Sequence, residues 1–195
     1  MNTFIFATNN ANKALEINAV LGKDFKIITL KEAGINIDIP EPHKTLEENA
    51  SEKSGVIYNL TKKDCFSEDT GLEVDSLNGE PGVKSARYAG ENKSSEDNID
   101  LLLKNMEGKE NKSAKFRTII SLRLDNQEYK FEGICQGSII AERRGMNGFG
   151  YDPIFVPEGS KLTFAEMDMK EKNLYSHRKK AVEKLVAFMR KHSRM

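Results

Sequence analysis

The stretch KFRTIISLRLDNQEYKFEGICQG, residues 115–137, holds two runs of branched and aromatic side chains on either side of Asp125 and Asn126. Such side chains suit a pleated, half-buried surface, and two polar residues between the runs supply a turn. Lys115–Leu124 and Glu128–Gly137 are therefore predicted to pair as an antiparallel hairpin. Toward the amino terminus, Thr3–Ala7 predicts a short buried strand. After a polar turn, Leu15, Ile17, Val20 and Leu21 form the apolar stripe of a helix that stops at Gly22. Thr45 and Glu48 have the T-x-x-E spacing of a capping box ahead of Ala50, Ile57 and Leu60, which predicts a second helix. Ser94 and Asp97 give a weaker version of the same signal before Ile99, Leu102 and Leu103. Cys65–Glu68 and Leu72–Asp75 read as strands broken by Gly71, and Gly79, Pro81 and Gly82 mark a loop. Ala181, Leu185, Phe188 and Met189 recur on one face of a final helix that starts near Ser176. Helices interleaved with strands, plus the hairpin, make a mixed α/β fold.

The chain has 195 residues, the size of one domain, and no internal repeat or linker divides it; a single domain over 1–195, with two lobes allowed, is the expectation. Thirty basic residues balance thirty acidic ones, so no net charge points to nucleic acid, and any bound anion must be held by local charges. Two cysteines, Cys65 and Cys135, lie too far apart for a metal-binding or redox spacing and read as buried thiols. No apolar run is long enough for a secretory signal or a membrane span, so a cytoplasmic protein without membrane contact is expected.

Four polar segments carry the chemistry. Thr8, Asn9, Asn10, Ala11, Asn12 and Lys13 lie between the first strand and the first helix. There, outward amides, the helix dipole and the Lys13 ammonium would suit a phosphate. The loop lacks the glycines and ending of a Walker sequence, and a capped Asn-rich turn would look the same. Glu68, Asp69, Thr70 and Gly71 place two acids at a strand end, suited to a hard cation or to an acidic turn. Because neighbouring strand residues face opposite sides, only one of Glu68 and Asp69 should serve a given site. Gly148, Phe149, Gly150, Tyr151 and Asp152 offer a close backbone and a stacking ring. Ser176, His177 and Arg178 place a cap, an imidazole and a five-donor guanidinium at a helix start.

In this order the segments FATNNANKALEI, SEDTGLEVDSLNGEPGVKSARYAG, GFGYDPIFVPEG and EKNLYSHRKKA resemble the signature of the inosine triphosphate pyrophosphatase family, from Thr3 to about Leu185. The resemblance implies an elongated mixed sheet with flanking helices, two lobes around a nucleotide cleft, and a homodimer. It implies that Thr8 to Lys13 contact phosphate, that Asp69 is catalytic, and that Thr70 and Lys172 touch substrate. Phe149, Gly150, Tyr151 and Asp152 would form the base-side loop, with His177 and Arg178 facing the purine. Glu41 falls where the family has a metal-binding glutamate, so Glu41 and Asp69 would hold magnesium. Lys53 matches a lysine of the cleft. Asn9 stands where many relatives have glycine and would preserve a left-handed backbone there. Thr70 replaces a common serine and keeps the hydroxyl.

The implied reaction is hydrolysis of aberrant purine nucleoside triphosphates, those of inosine, deoxyinosine and xanthosine, to monophosphate and pyrophosphate. Arg178, having donors and no acceptor, would pair with their 6-oxo group and meet the 6-amino group of adenine donor to donor. Two other readings remain open at this stage. One is a Maf-like pyrophosphatase acting on pyrimidine triphosphates; the other is a nucleotide sensor that binds without cleaving. Pyrophosphate release from inosine triphosphate separates both from the main reading.

Overall fold

The computed structural model describes residues 2–21, 25–92 and 94–192. In chain order the elements are β1 (Asn2–Phe6), α1 (Ala11–Leu21), β2 (Phe25–Thr29), α2 (Leu46–Thr61), β3 (Cys65–Val74), β4 (Pro81–Gly82) and α3 (Ser95–Asn105). They are followed by β5 (Ser113–Leu124), β6 (Gln127–Ile139), β7 (Phe155–Pro157), α4 (Met169–Lys172) and α5 (His177–His192). The strands form one mixed sheet in the order β2-β1-β3-β5-β6-β7, with β4 paired to β3. The chain divides into two compact units, Met1–Asp69 with Thr118–Gly133 and Arg178–Met195, and Thr70–Arg117 with Ile134–His177. Among the described residues no helix is long and apolar enough to cross a membrane.

In the first unit β1 lies parallel to β2, with Phe4 opposite Ile27, and parallel to β3, with Phe6 opposite Phe66. Parallel strands need a crossover, and α1 and α2 provide it. Phe6 and Phe66 stack with centroids 4.7 Å apart in a core shared with Ile17, Ile120, Leu122, Val182 and Leu185. Thr45 caps α2 as its spacing predicts, its hydroxyl oxygen accepting from the Glu48 amide at 3.2 Å. The box is not reciprocal in the usual way, because the Glu48 carboxylate accepts from the Thr45 hydroxyl at 2.8 Å. Asp125 and Asn126, with φ of 50° and 64°, make the left-handed turn that a tight hairpin requires.

The second unit packs Leu72, Ile99, Leu102, Phe116, Ile154, Phe155 and Phe164 into its own core. Ser94 caps α3 through the Asp97 amide at 3.2 Å.

Several expectations from sequence are corrected. Gly71 does not break a strand, since β3 runs unbroken from Cys65 to Val74. Its missing side chain serves a close approach instead, because a Cβ there would lie 2.6 Å from the Gly82 carbonyl oxygen of β4. Leu15 and Leu60 are 62% and 60% exposed; the inner face of α1 uses Ala14, Glu16, Ile17 and Leu21. The predicted stop of α1 at Gly22 lies outside the described residues.

Candidate functional site

Two ion networks meet on β3, and strand alternation separates them. Glu68 and Asp69 are both buried, 2% and 5% exposed, yet they engage different partners. Placing acids inside costs free energy unless cations pair with them, and each of these finds one.

Asp69 belongs to the first network. The Lys53 ammonium, from the middle of α2, donates to Asp69 Oδ1 at 2.7 Å and to Glu41 Oε1 at 2.6 Å. Two local devices bring these side chains together. The Asn49 amide accepts from the His43 backbone N–H at 3.0 Å and donates to its carbonyl at 3.3 Å, tying the segment beside Glu41 to α2. The Ser67 hydroxyl donates to the Ala50 carbonyl, fixing β3 against the same helix. Burial works against the Lys53 charge, but Asp69 and Glu41 outweigh it and hold the ammonium more firmly protonated than an ordinary lysine. Burial lifts the Asp69 carboxyl above the usual aspartate value of 3.8; Lys53 and Lys13 pull against that rise and Glu41 adds to it. Asp69 is thus a better proton acceptor than a solvated aspartate.

Glu68 belongs to the second network. Arg178 grips it with two N–H groups, at 2.5 and 3.0 Å, and pairs with Glu16 through a third. The Lys13 ammonium stands 3.0 Å from Glu68. Burial opposes ionisation of Glu68, yet Arg178 and Lys13 hold its carboxyl well below the usual range. Two cations and two anions balance, with Arg178 only 2% exposed.

The Thr8–Lys13 loop caps itself. Asn10 Oδ1 accepts from the amides of Asn12 at 3.0 Å and Lys13 at 3.2 Å, and Thr8 Oγ1 accepts from Asn10 at 3.1 Å. A ligand seeking the Asn12 and Lys13 amides would therefore have to displace or share the Asn10 carboxamide. Asn9 does not adopt positive φ, correcting the left-handed expectation; its amide donates to the Ile37 carbonyl at 3.1 Å. Thr8, Asn9, Asn10 and Ala11 line a cavity of about 570 Å³ with Lys31 and Asn36, within the range of small-molecule pockets.

The second unit holds the remaining sequence-derived residues. Asp152 Oδ2 accepts from the Phe149 amide at 2.9 Å and from the buried Lys172 ammonium at 2.6 Å. Lys172 also lies 5.5 Å from the Phe149 ring centroid, a cation-π distance. Gly148 has a φ of +75°, and a Cβ there would collide with Asp152 Oδ2, so only glycine closes this turn. The Tyr151 hydroxyl donates to the Ser85 carbonyl at 2.9 Å. His177 stacks on Phe116, centroids 4.7 Å apart and planes 14° from parallel. Thr70 is half-buried on β3 beside Asp69. His177 and Arg178, adjacent in sequence, thus have different company: one an aromatic ring, the other two carboxylates.

Sequence reasoning passed over Glu16 and left Glu68 and Lys53 without an assigned role. No local signal marks Glu16, which occupies an inward position of an otherwise apolar helix face. Among the described residues no three or more His, Cys, Asp or Glu side chains converge as a metal site. Glu41 and Asp69 share the Lys53 ammonium as a pair of carboxylates, the oxygen-donor type that suits a hard cation.

Comparison with known proteins agrees with the arrangement of motifs. The model of the Ham1 family matches residues 4–188. The dITP/XTP pyrophosphatase of Flavobacterium psychrophilum is 47% identical over 186 residues, 95% of this chain and 98% of that protein. That of Flavobacterium johnsoniae is 48% identical over 182 residues, 93% and 95% of the two chains. The solved structure of the Staphylococcus aureus Ham1 protein superposes with a TM-score of 0.89 at 37% identity, covering 98% of this chain and all of that one. The chain belongs to the Ham1 family.

Proposed function

We propose that this protein hydrolyses aberrant purine nucleoside triphosphates, dITP, XTP and ITP, to the monophosphate and pyrophosphate. The observation that carries the reading is the buried Asp69, lifted in basicity and bridged through Lys53 to Glu41, close to a polar helix start bearing Lys13. The relatives named dITP/XTP pyrophosphatase support the choice of substrate.

Glu41 and Asp69 fit magnesium, since two carboxylate oxygens already converge on one cation and this ion usually completes its shell with water and substrate phosphate. When bound, such an ion neutralises charge on phosphate oxygens and acidifies water. Asp69 orients the attacking water and accepts its proton, while the P–O bond to the leaving pyrophosphate breaks. Lys13 offsets the charge that develops on the phosphate oxygens, and the Thr8–Lys13 loop holds the triphosphate. Thr70 and Lys172 contact the substrate, and His177 and the Phe149–Asp152 loop its base, with the Phe149 ring as the stacking surface. Arg178 acts chiefly by fixing Glu68 and hence Lys13. The protein works as a homodimer on the cytoplasmic nucleotide pool.

Incubation with dITP and magnesium, with products resolved by phosphorus NMR, tests this reading. Equal amounts of dIMP and pyrophosphate are expected. Formation of dIDP with orthophosphate, or faster turnover of pyrimidine triphosphates, would overturn it, and binding without turnover would make the protein a sensor.

A further inference from the structure

We propose that Lys53 is an internal stand-in for the metal: its ammonium holds Glu41 and Asp69 together in the free protein and is exchanged, on metal binding, from that acid pair to the substrate phosphates. The inference rests on the reading that Glu41 and Asp69 are the metal-holding residues.

The geometry is that of a bridging cation. One ammonium lies 2.6 Å from one carboxylate and 2.7 Å from another, which approach from separate parts of the chain. The Lys53 side chain is only 9% exposed and that of Asp69 8%. Without the ammonium the two acids would face each other with like charge and no cation bridging them, Asp69 buried and the Glu41 side chain 24% exposed. A divalent cation drawn to the same oxygens meets an occupied position. Lysine suits a temporary occupant, because its compact charge rides on a flexible four-carbon stem that can swing, unlike the rigid fork of arginine. Displaced from the carboxylates, the buried ammonium needs a new anion, and a triphosphate supplies one. The exchange therefore keeps each charge compensated, before and after loading, and couples metal entry to phosphate capture.

Titration of the nucleotide-free protein with Mn²⁺, followed by electron paramagnetic resonance, reads the competition directly. Lys53→Gln should tighten Mn²⁺ binding roughly tenfold or more, the worth of a charge-assisted contact that no longer competes. Glu41→Gln should weaken it. If Glu41→Gln leaves Mn²⁺ affinity unchanged, the acid pair is not the metal site and the underlying reading fails. If Glu41→Gln weakens binding while Lys53→Gln weakens it or leaves it unchanged, the stand-in role alone is overturned. A measurement on the unmutated protein guards against misfolding of the variant. With 15N-labelled lysine side chains, the protected Lys53 ammonium signal should shift and lose protection as Mg²⁺ saturates the protein. A signal unmoved by saturating Mg²⁺ would show that Lys53 never yields its place.

Discussion

Asp69 and Glu68 are neighbours on β3, and substituting them or their partners should give opposite signatures. Asp69→Asn preserves shape and hydrogen bonding but removes the proton acceptor and one anionic partner of Lys53. Turnover of dITP should fall at least about a hundredfold with an unchanged circular dichroism spectrum, because base and metal roles are each worth that much. Near-native turnover would remove Asp69 from the chemistry. Arg178 is different: it neutralises two buried carboxylates, Glu68 and Glu16. Arg178→Ala leaves Glu68 with the Lys13 ammonium but takes the guanidinium from both acids, a change of about 3 to 5 kcal/mol where a buried ion pair is broken from one side. It also releases Lys13 from a fixed Glu68. The expected result is a lower Tm and a loss of kcat/KM that is similar for dITP and ATP. Contact between Arg178 and the purine 6-oxo group would instead lower dITP more than ATP, so the ratio of the two constants decides between positioning and base reading.

At the scale of elements, the helix that carries Lys53 is tied to the hairpin by hydroxyls. Ser51 on α2 and Ser121 on β5 both donate to Glu128 Oε1 on β6, at 2.6 and 2.8 Å, and Ser54 meets Ser121 at 2.7 Å. Burial raises the Glu128 carboxyl, but these hydroxyls and the Arg123 and Lys130 charges outweigh it and hold it below the usual glutamate value of 4.5. With the folded value below the unfolded one, the stabilisation is full above that ordinary value and is lost as pH falls through the folded one. Glu128→Gln should therefore lower Tm at neutral pH, and the gap from the native protein should close in acid. A constant gap would mean that Glu128 contributes only shape. These ties also mark where sequence stops being legible. The hairpin could be read because Asp125 and Asn126 tolerate the left-handed turn, and the helix starts because Thr45 and Ser94 act over three residues. Gly71 was misread since its reason, the Gly82 carbonyl, comes from packing and not from its neighbours in sequence. β2, β4, β7 and α4 are too short to leave a sequence pattern, β4 falling where a loop is expected and α4 only four residues long. The site divides likewise: Asp69 and Lys13 stand in recognisable segments, whereas the Arg178 bond to Glu16 joins residues 162 apart and exists only in the folded chain.

For the whole molecule, three strands set how the chain should unfold. The boundary between the two compact units falls within β3, after Asp69, within β5, after Arg117, and within β6, after Gly133. Each of these strands supplies residues to both units, so one unit cannot lose its strands without fraying those of the other. We infer that residues 1–195 form one cooperative domain. The two cysteines report on it, one in each unit. Cys65 is fully buried, with its thiol 3.4 Å from the Ser54 carbonyl, and burial pushes that thiol up to about 12. Cys135 is 2% exposed. Only the thiolate reacts with alkylating reagents, and it needs access as well as charge. At mildly alkaline pH neither thiol should react with iodoacetamide in the folded protein. Across a urea series, alkylation mapped by mass spectrometry should then rise for both at one midpoint, coincident with loss of circular dichroism, as two-state unfolding requires. Alkylation of Cys135 at a urea concentration that leaves Cys65 protected, or the reverse, would show instead that the units melt as separate domains.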